Sequence, residues 1–294
     1  MELSLLFQTL ITGLAIGGIY SLMAVGYSLV FSILNFSNFA YGGVIMLASF
    51  AGYYAMTLLG ANVFVALIIS MAAMAVVSLA TERVAYSPLR KRNAPPMFFM
   101  ISAMGLSIFI ENLVYATIGA HFYAYPIIFE ETTINIFGAA LGKMDLFAIV
   151  FSIIAIAIMN YFINKTRTGI AIRAASYDST VATLNGVNLS VVIGLVFVIA
   201  GAFAGISGMF LGIKYMAYPN MGWITNKAYI AAVIGGLGSL PGAIYGGVIL
   251  GIVEAFVSVY ITSTYRDVFS FAILIIILLI RPAGLFGKYL EEKV

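Results

Sequence analysis

Cysteine is absent from the 294 residues. Disulfides, thiolate metal sites and cysteine nucleophiles are thereby excluded, though no compartment follows from the absence. Histidine occurs once, at His121, so neither a histidine pair nor an HExxH zinc motif can be assembled, and no metal site is expected. Charge is scarce as well. Asp, Glu, Lys and Arg make up 9% of the chain, against roughly a quarter in soluble domains. No GxxxxGK[ST] phosphate loop is present, and the glycine-rich "GGLGSLPG" at 235–242 lacks its lysine. The chain is therefore not expected to hydrolyse ATP or to act as an enzyme.

Apolar residues fill the space that charge leaves. The hydrophobic share is 63% and the mean hydropathy +1.10. So few charges cannot clothe a water-exposed surface, which argues for a multi-spanning membrane protein. No polar block is long enough for a separate soluble domain, so residues 1–294 read as one transmembrane domain. The opening "MELSLLFQTL" has no basic run before its apolar residues and reads as the start of a first span, not as a cleaved signal.

A helical span needs about 20 mostly apolar residues. Runs at 5–31, 39–59, 63–80, 97–118, 146–163, 189–212, 228–260 and 268–280 satisfy or approach this. The expected fold is an all-α, polytopic bundle of about eight spans, with broken or re-entrant segments. Arg83, Arg90, Lys91 and Arg92 follow the third run, Lys165, Arg167 and Arg173 the fifth, and Arg281, Lys288 and Lys293 the last. The positive-inside rule places these clusters in the cytoplasm. The loop 119–145, carrying His121, Glu130, Glu131 and Asp145, then faces outward. With Lys227 and Arg266 also outside, 228–260 must enter and return, turning near "GGLGSLPG". Arg266-Asp267 then reads as an exposed pair at the outer interface.

Glycine marks three places. Gly194, Gly201, Gly205, Gly208 and Gly212 are spaced 7, 4, 3 and 4, and so share one helix stripe suited to tight packing within the chain or against a second subunit. Gly235, Gly236 and Gly238, followed by Pro241, make a continuous helix implausible. Irregular backbone at membrane depth is tolerated inside protein or beside a water-filled path. The third place is "NFSNFAYGG". Here Asn35, Asn38, Tyr41, Gly42 and Gly43 either form a polar turn that caps a helix or line that path. The motif YGGVI occurs at 41–45 and again at 245–249, as an internal repeat or by chance.

The least oily cytoplasmic stretch is 168–188. Ile170, Ala174, Tyr177, Val181 and Leu184 recur at spacings of 4, 3, 4 and 3, and Asn185-Gly186 supplies a stop. The pattern predicts one amphipathic helix of about four turns. It lies on the membrane surface or docks into a groove of a cytoplasmic partner.

Four stretches carry a family resemblance: "LNFSNFAYGGVIMLASF", "RAASYDSTVATLNGVNLSVVIGLVFVIAGAFAGISGMFLG", "KAYIAAVIGGLGSLPGAIYGGVILGIVEAF" and "SFAILIIILLIRPAGLFGK". In order and across nearly the whole chain they resemble permeases of ATP-binding-cassette importers for branched-chain amino acids. Many members have histidine where this chain has Tyr41, and the EAA signature of other importers is not matched. Permeases for urea and short amides share the pattern, and sugar permeases are more distant. The resemblance implies a bacterial inner-membrane subunit that pairs with a second, related permease. It further implies two cytoplasmic ATP-binding subunits, which hold the ATP and magnesium, and an extracytoplasmic substrate-binding protein. Arg173, Ala174, Asp178, Leu184, Gly186 and Asn188 match the segment that contacts the ATPase, with Tyr177 and Val181 on the same apolar stripe. A rival of another class is a proton-coupled secondary transporter using Glu111 or Glu254, carboxylates in or near apolar runs. An intramembrane enzyme has no paired catalytic groups to rest on.

Overall fold

The computed structural model describes residues 2–128, 133–136 and 139–287. Glu130, Glu131, Lys288 and Lys293 lie outside these described residues. Helix α1 runs Glu2–Leu34 and stops at Asn35, whose left-handed φ of 51° Asn tolerates better than most residues. Then follow α2 (Tyr41–Thr57), α3 (Val63–Thr81), a π-helical turn at Glu82–Tyr86 that leads into α4 (Ser87–Lys91), and α5 (Pro96–Thr117). Strands β1 (Thr133–Ile136) and β2 (Ala139–Gly142) pair antiparallel. After them come α6 (Lys143–Lys165), α7 (Arg167–Tyr177), α8 (Ser179–Leu184) and α9 (Leu189–Tyr215). A 3-10 turn at Pro219–Ile224 precedes α10 (Thr225–Gly235), α11 (Leu240–Tyr260) and α12 (Arg266–Ile280).

Among the described residues, seven helices are long and apolar enough to cross a membrane. The predicted run that is missing from these seven, 39–59, is α2, only 17 residues long and buried along most of its length. Helix starts follow local chemistry. Asn62 accepts from the Val65 N–H at 3.0 Å, Asn188 from Val191 at 3.3 Å, and Ser239 from Gly242 at 3.2 Å.

Two compact units partition the chain: Met1–Ser28, Phe129–Ala155 and Lys227–Val294 form one, and Leu29–Ile128 and Ile156–Asn226 the other. In the second, α2, α3 and α9 pack together. The glycine stripe of α9 lies on that seam. A Cβ on Gly205 would lie 2.6 Å from Met71 Cα, one on Gly201 2.7 Å from Ser78 Cβ, and one on Gly208 2.5 Å from Ala48 Cβ. Gly194 faces Leu79 at 3.4 Å, and Gly212 faces the Tyr125 ring at 2.7 Å. The side chain of Ser70 bridges the seam, donating to the carbonyls of Ala48 and Gly205.

In the first unit the close approach is α1 on α11. A Cβ on Gly13 or Gly17 would lie 2.9 Å from Ile252 or Val248 Cα, while Gly247 and Gly251 approach Ser21 and Gly17. Facing small-residue pairs of this kind let backbones touch where lipid supplies little drive for association.

Candidate functional site

The predicted break in 228–260 is a helical hairpin. α10 ends at Gly235, the chain turns through Gly236 and Gly238 with φ of 107° and 81°, and α11 starts with Pro241 in its first turn. Those two φ values are what glycine supplies without strain. Gly246 and Gly242 of α11 pack on Ala231 and Gly235 of α10. The carbonyls of Ile234 and Gly235, left open by the end of α10, accept from the N–H groups of Leu285 and Phe286 at 2.9 and 2.8 Å. The "RPAGLFG" tail is thus the C-terminal cap of the half-helix.

Beside this hairpin lies a charge cluster drawn from three helices. The expected exposed pair Arg266-Asp267 is not what forms, since Asp267 pairs with Lys227. Lys227 is buried and its ammonium pairs with Glu254 at 2.6 Å and Asp267 at 2.5 Å. Glu254, fully buried, also accepts from Ser270 at 2.6 Å and Tyr20 at 2.9 Å. Arg266 donates to Ser258 at 3.0 Å. Sequence separations of 27 and 40 residues hide the triad, since only the tertiary fold brings α10, α11 and α12 to one point. Glu111 is half-buried on α5.

In the other unit, "NFSNFAYGG" is a buried bend. Asn35 is exposed, but Asn38 and Tyr41 are buried. Asn38 Oδ1 accepts from the Tyr86 hydroxyl at 2.6 Å, and Tyr41 donates to the Ala200 carbonyl at 3.1 Å. Gly42 meets the Gly222 carbonyl and Thr225, each 2.8 Å from where its Cβ would be, and Gly43 meets Ile110 at 3.2 Å. Tyr86 belongs to the π-turn, where Glu82 is fully buried and paired with Arg90 at 2.8 Å and Arg83 at 3.4 Å. Charge counting treats both arginines as basic markers of the cytoplasmic side and passes over Glu82. A signal for the pairing does exist in the sequence: an acidic residue immediately ahead of a basic run.

The stretch 168–188 departs from the single predicted helix. It is two, α7 and α8, broken at Asp178, whose carboxylate caps α8 by accepting from Thr180 at 2.8 Å and Val181 at 2.9 Å. An N-cap residue requires extended backbone, and that interrupts the helix. Gly169, Ile172, Ala175 and Ala182 form the buried face. The apolar row points outward, with Tyr177 94% and Leu184 83% exposed, and Ile170 and Val181 exposed beside them. Arg173, Asp178, Gly186 and Asn188 are exposed and Ala174 is half-buried. Ser176 donates to the Ser32 carbonyl at 2.8 Å, tying α7 to the end of α1.

Tyr125 is a further residue that no sequence pattern singles out. Its hydroxyl donates to the Ser49 carbonyl, and Gly52 leaves room for that hydroxyl and Gly212 for the ring edge. Burial pushes its phenol well above the ordinary tyrosine range, outweighing the opposite effect of a backbone hydrogen bond at Tyr53.

Comparison with known proteins gives concordant results. The family model described as branched-chain amino acid transport system / permease component matches residues 9–278. The chain is 37% identical to the high-affinity branched-chain amino acid transport system permease protein BraD of Pseudomonas aeruginosa, covering 98% of this chain and 97% of BraD. It is likewise 37% identical to LivH of Escherichia coli strain K12, over 98% of this chain and 97% of LivH. Among solved structures, PsaBC from Streptococcus pneumoniae in complex with Fab aligns with a TM-score of 0.51. The match covers 99% of this chain and 95% of that one at 14% identity, a likeness of fold.

Proposed function

The chain belongs to the branched-chain amino acid transport permease family, and on that premise we propose that it forms the translocation path of an ATP-binding-cassette importer for branched-chain or other hydrophobic amino acids. The observation that carries this reading is the outward apolar row on α7 and α8. A chain without a phosphate loop must receive the work of ATP through contact. Apolar residues at helical spacing on a short, solvent-facing element are what a partner's groove takes up. Tyr177, Val181 and Leu184 would fill such a groove, with Arg173, Ala174, Asp178, Gly186 and Asn188 around them. One of two ATP-binding subunits docks here, a second related permease takes up the other and completes the path, and a binding protein delivers substrate from outside the bacterial inner membrane. The basic clusters put α7 and α8 on the cytoplasmic side.

The mechanism follows from attachment. Gly169 lies against the carbonyls of Phe162 and Ile163, and Ser176 is bonded to Ser32. A movement imposed on α7 by the ATPases therefore reaches the ends of α6 and α1 directly. Substrate with an apolar side chain needs a path poor in charge, consistent with the 9% charged residues.

Proteoliposomes holding this chain with its partner permease and ATPases should accumulate leucine when ATP and loaded binding protein are supplied. Uptake by this chain alone, driven by a proton gradient, would overturn the proposal.

A further inference from the structure

Helix α2 begins without a cap. Its N-cap position is Ala40, in helical conformation and with no side-chain hydrogen bond to the first turn. The Tyr41 N–H is bonded to the Asn38 carbonyl and that of Val44 to Ala40. Among the described residues, the N–H groups of Gly42 and Gly43 have no partner. This helix start is not in water, since Phe36, Asn38, Ala40 and Tyr41 are all buried. The residue type that could have capped it is committed elsewhere, because Asn38 Oδ1 accepts from Tyr86. Buried backbone donors are almost always satisfied, so two open ones in a first turn point to a group the protein does not itself provide.

A second observation, independent of the helix, converges on the same turn. Thr225 is buried, 8% exposed, and its Oγ1 has no hydrogen-bond partner among the described residues. That hydroxyl lies 2.8 Å from where a Cβ on Gly42 would stand, and the Gly222 carbonyl lies equally close. Two backbone donors at the positive end of a helix dipole, plus one hydroxyl donor, make an anion site. The neighbouring carbonyl is an acceptor suited to an ammonium group. Interrupted transporter helices use their N-termini in this way toward substrate carboxylates. Resting on the permease reading above, we propose that the first turn of α2 and Thr225 hold the α-carboxylate of the transported amino acid, with the Gly222 carbonyl turned toward its ammonium group.

The geometry also accounts for Gly42. Any larger residue would press its Cβ into Thr225 and the Gly222 carbonyl, displacing the hydroxyl and the carbonyl from the first turn of α2.

The test uses the assembled importer in nanodiscs without binding protein, and measures tritiated leucine binding and its displacement. The competitors are leucinamide, which keeps the ammonium group and lacks the carboxylate, and 4-methylpentanoate, which does the reverse. Thr225→Val should weaken leucine and 4-methylpentanoate roughly ten- to a hundred-fold, as expected for one lost hydrogen bond to a charged group. Leucinamide should be little changed, and Thr225→Ser should restore leucine binding. Gly42→Ala should lose leucine binding while Gly105→Ala, on a glycine with open space around it, should not. Equal weakening of all three compounds, or no weakening, overturns the carboxylate assignment while ATP-driven leucine uptake by the wild type keeps the permease reading intact. A wild-type importer that neither binds nor transports branched-chain amino acids overturns both.

Discussion

Replacing Lys227 by methionine is the most informative single perturbation of the structure. The side chain keeps its length and loses its charge. Glu254 is then left fully buried, with Ser270 and Tyr20 still donating but no cation opposite. Removing one partner of a buried ion pair costs about 3–5 kcal/mol, because the other charge is stranded. Asp267 adds little to the loss, since its side chain is 49% exposed and water can replace the ammonium. For a chain of this size the penalty corresponds to a fall of roughly 6–10 °C in Tm, read by fluorescence size-exclusion in detergent. The double variant Lys227→Met with Glu254→Gln should recover most of it, because a neutral amide can keep its bonds to Tyr20 and Ser270. Asp267→Asn alone should cost at most about 1 kcal/mol. The reasoning is refuted if Lys227→Met matches wild type, or if the double variant is no better than the single.

Gly205→Leu should destabilise the α2–α3–α9 unit by at least about 3 kcal/mol, because its Cβ meets backbone at Met71 and Ser70, which cannot swing aside. Unchanged thermal stability and assembly would contradict that packing. Leu184→Asp should reduce co-purification of the ATPase at least tenfold while membrane insertion survives, and normal co-purification would remove α8 from the docking surface. Tyr125→Phe should lose about 1 kcal/mol, the worth of its bond to the Ser49 carbonyl, whereas Tyr125→Ala should lose about 3–5 kcal/mol through the cavity left against Gly52 and Gly212. Similar Tm values for the two tyrosine variants would refute the packing role of the ring.

Patterns set by neighbours along the chain are legible in the amino-acid sequence itself. The all-α, membrane-spanning class follows from apolar runs and missing charge, because lipid tolerates only backbone that satisfies itself. The interruption at Gly235–Pro241 follows from residues unable to continue a helix. The one-face spacing of Gly194 to Gly212 likewise follows from helix periodicity alone. Periodicity also puts Ile170, Tyr177, Val181 and Leu184 on one face, but it does not give the break at Asp178. A residue that can cap or sit inside a helix is decided by which of its hydrogen bonds survives in context.

Tertiary structure alone decided which partners those residues meet. The same YGGVI letters bury Tyr41 at one place and expose Tyr245 at the other, where it stacks on Phe286. Gly42 and Gly43 meet Thr225 and Ile110, while Gly246 and Gly247 meet Ala231 and Ser21. The charge pattern treats Lys227 as a surface charge, yet it is buried because Glu254 meets it from another helix. Helix periodicity is a property of consecutive residues, so sequence determines it. The pairing of Lys227 with Glu254 and Asp267 and the closure of an uncapped helix start depend on groups tens to hundreds of residues away, so only the folded chain can.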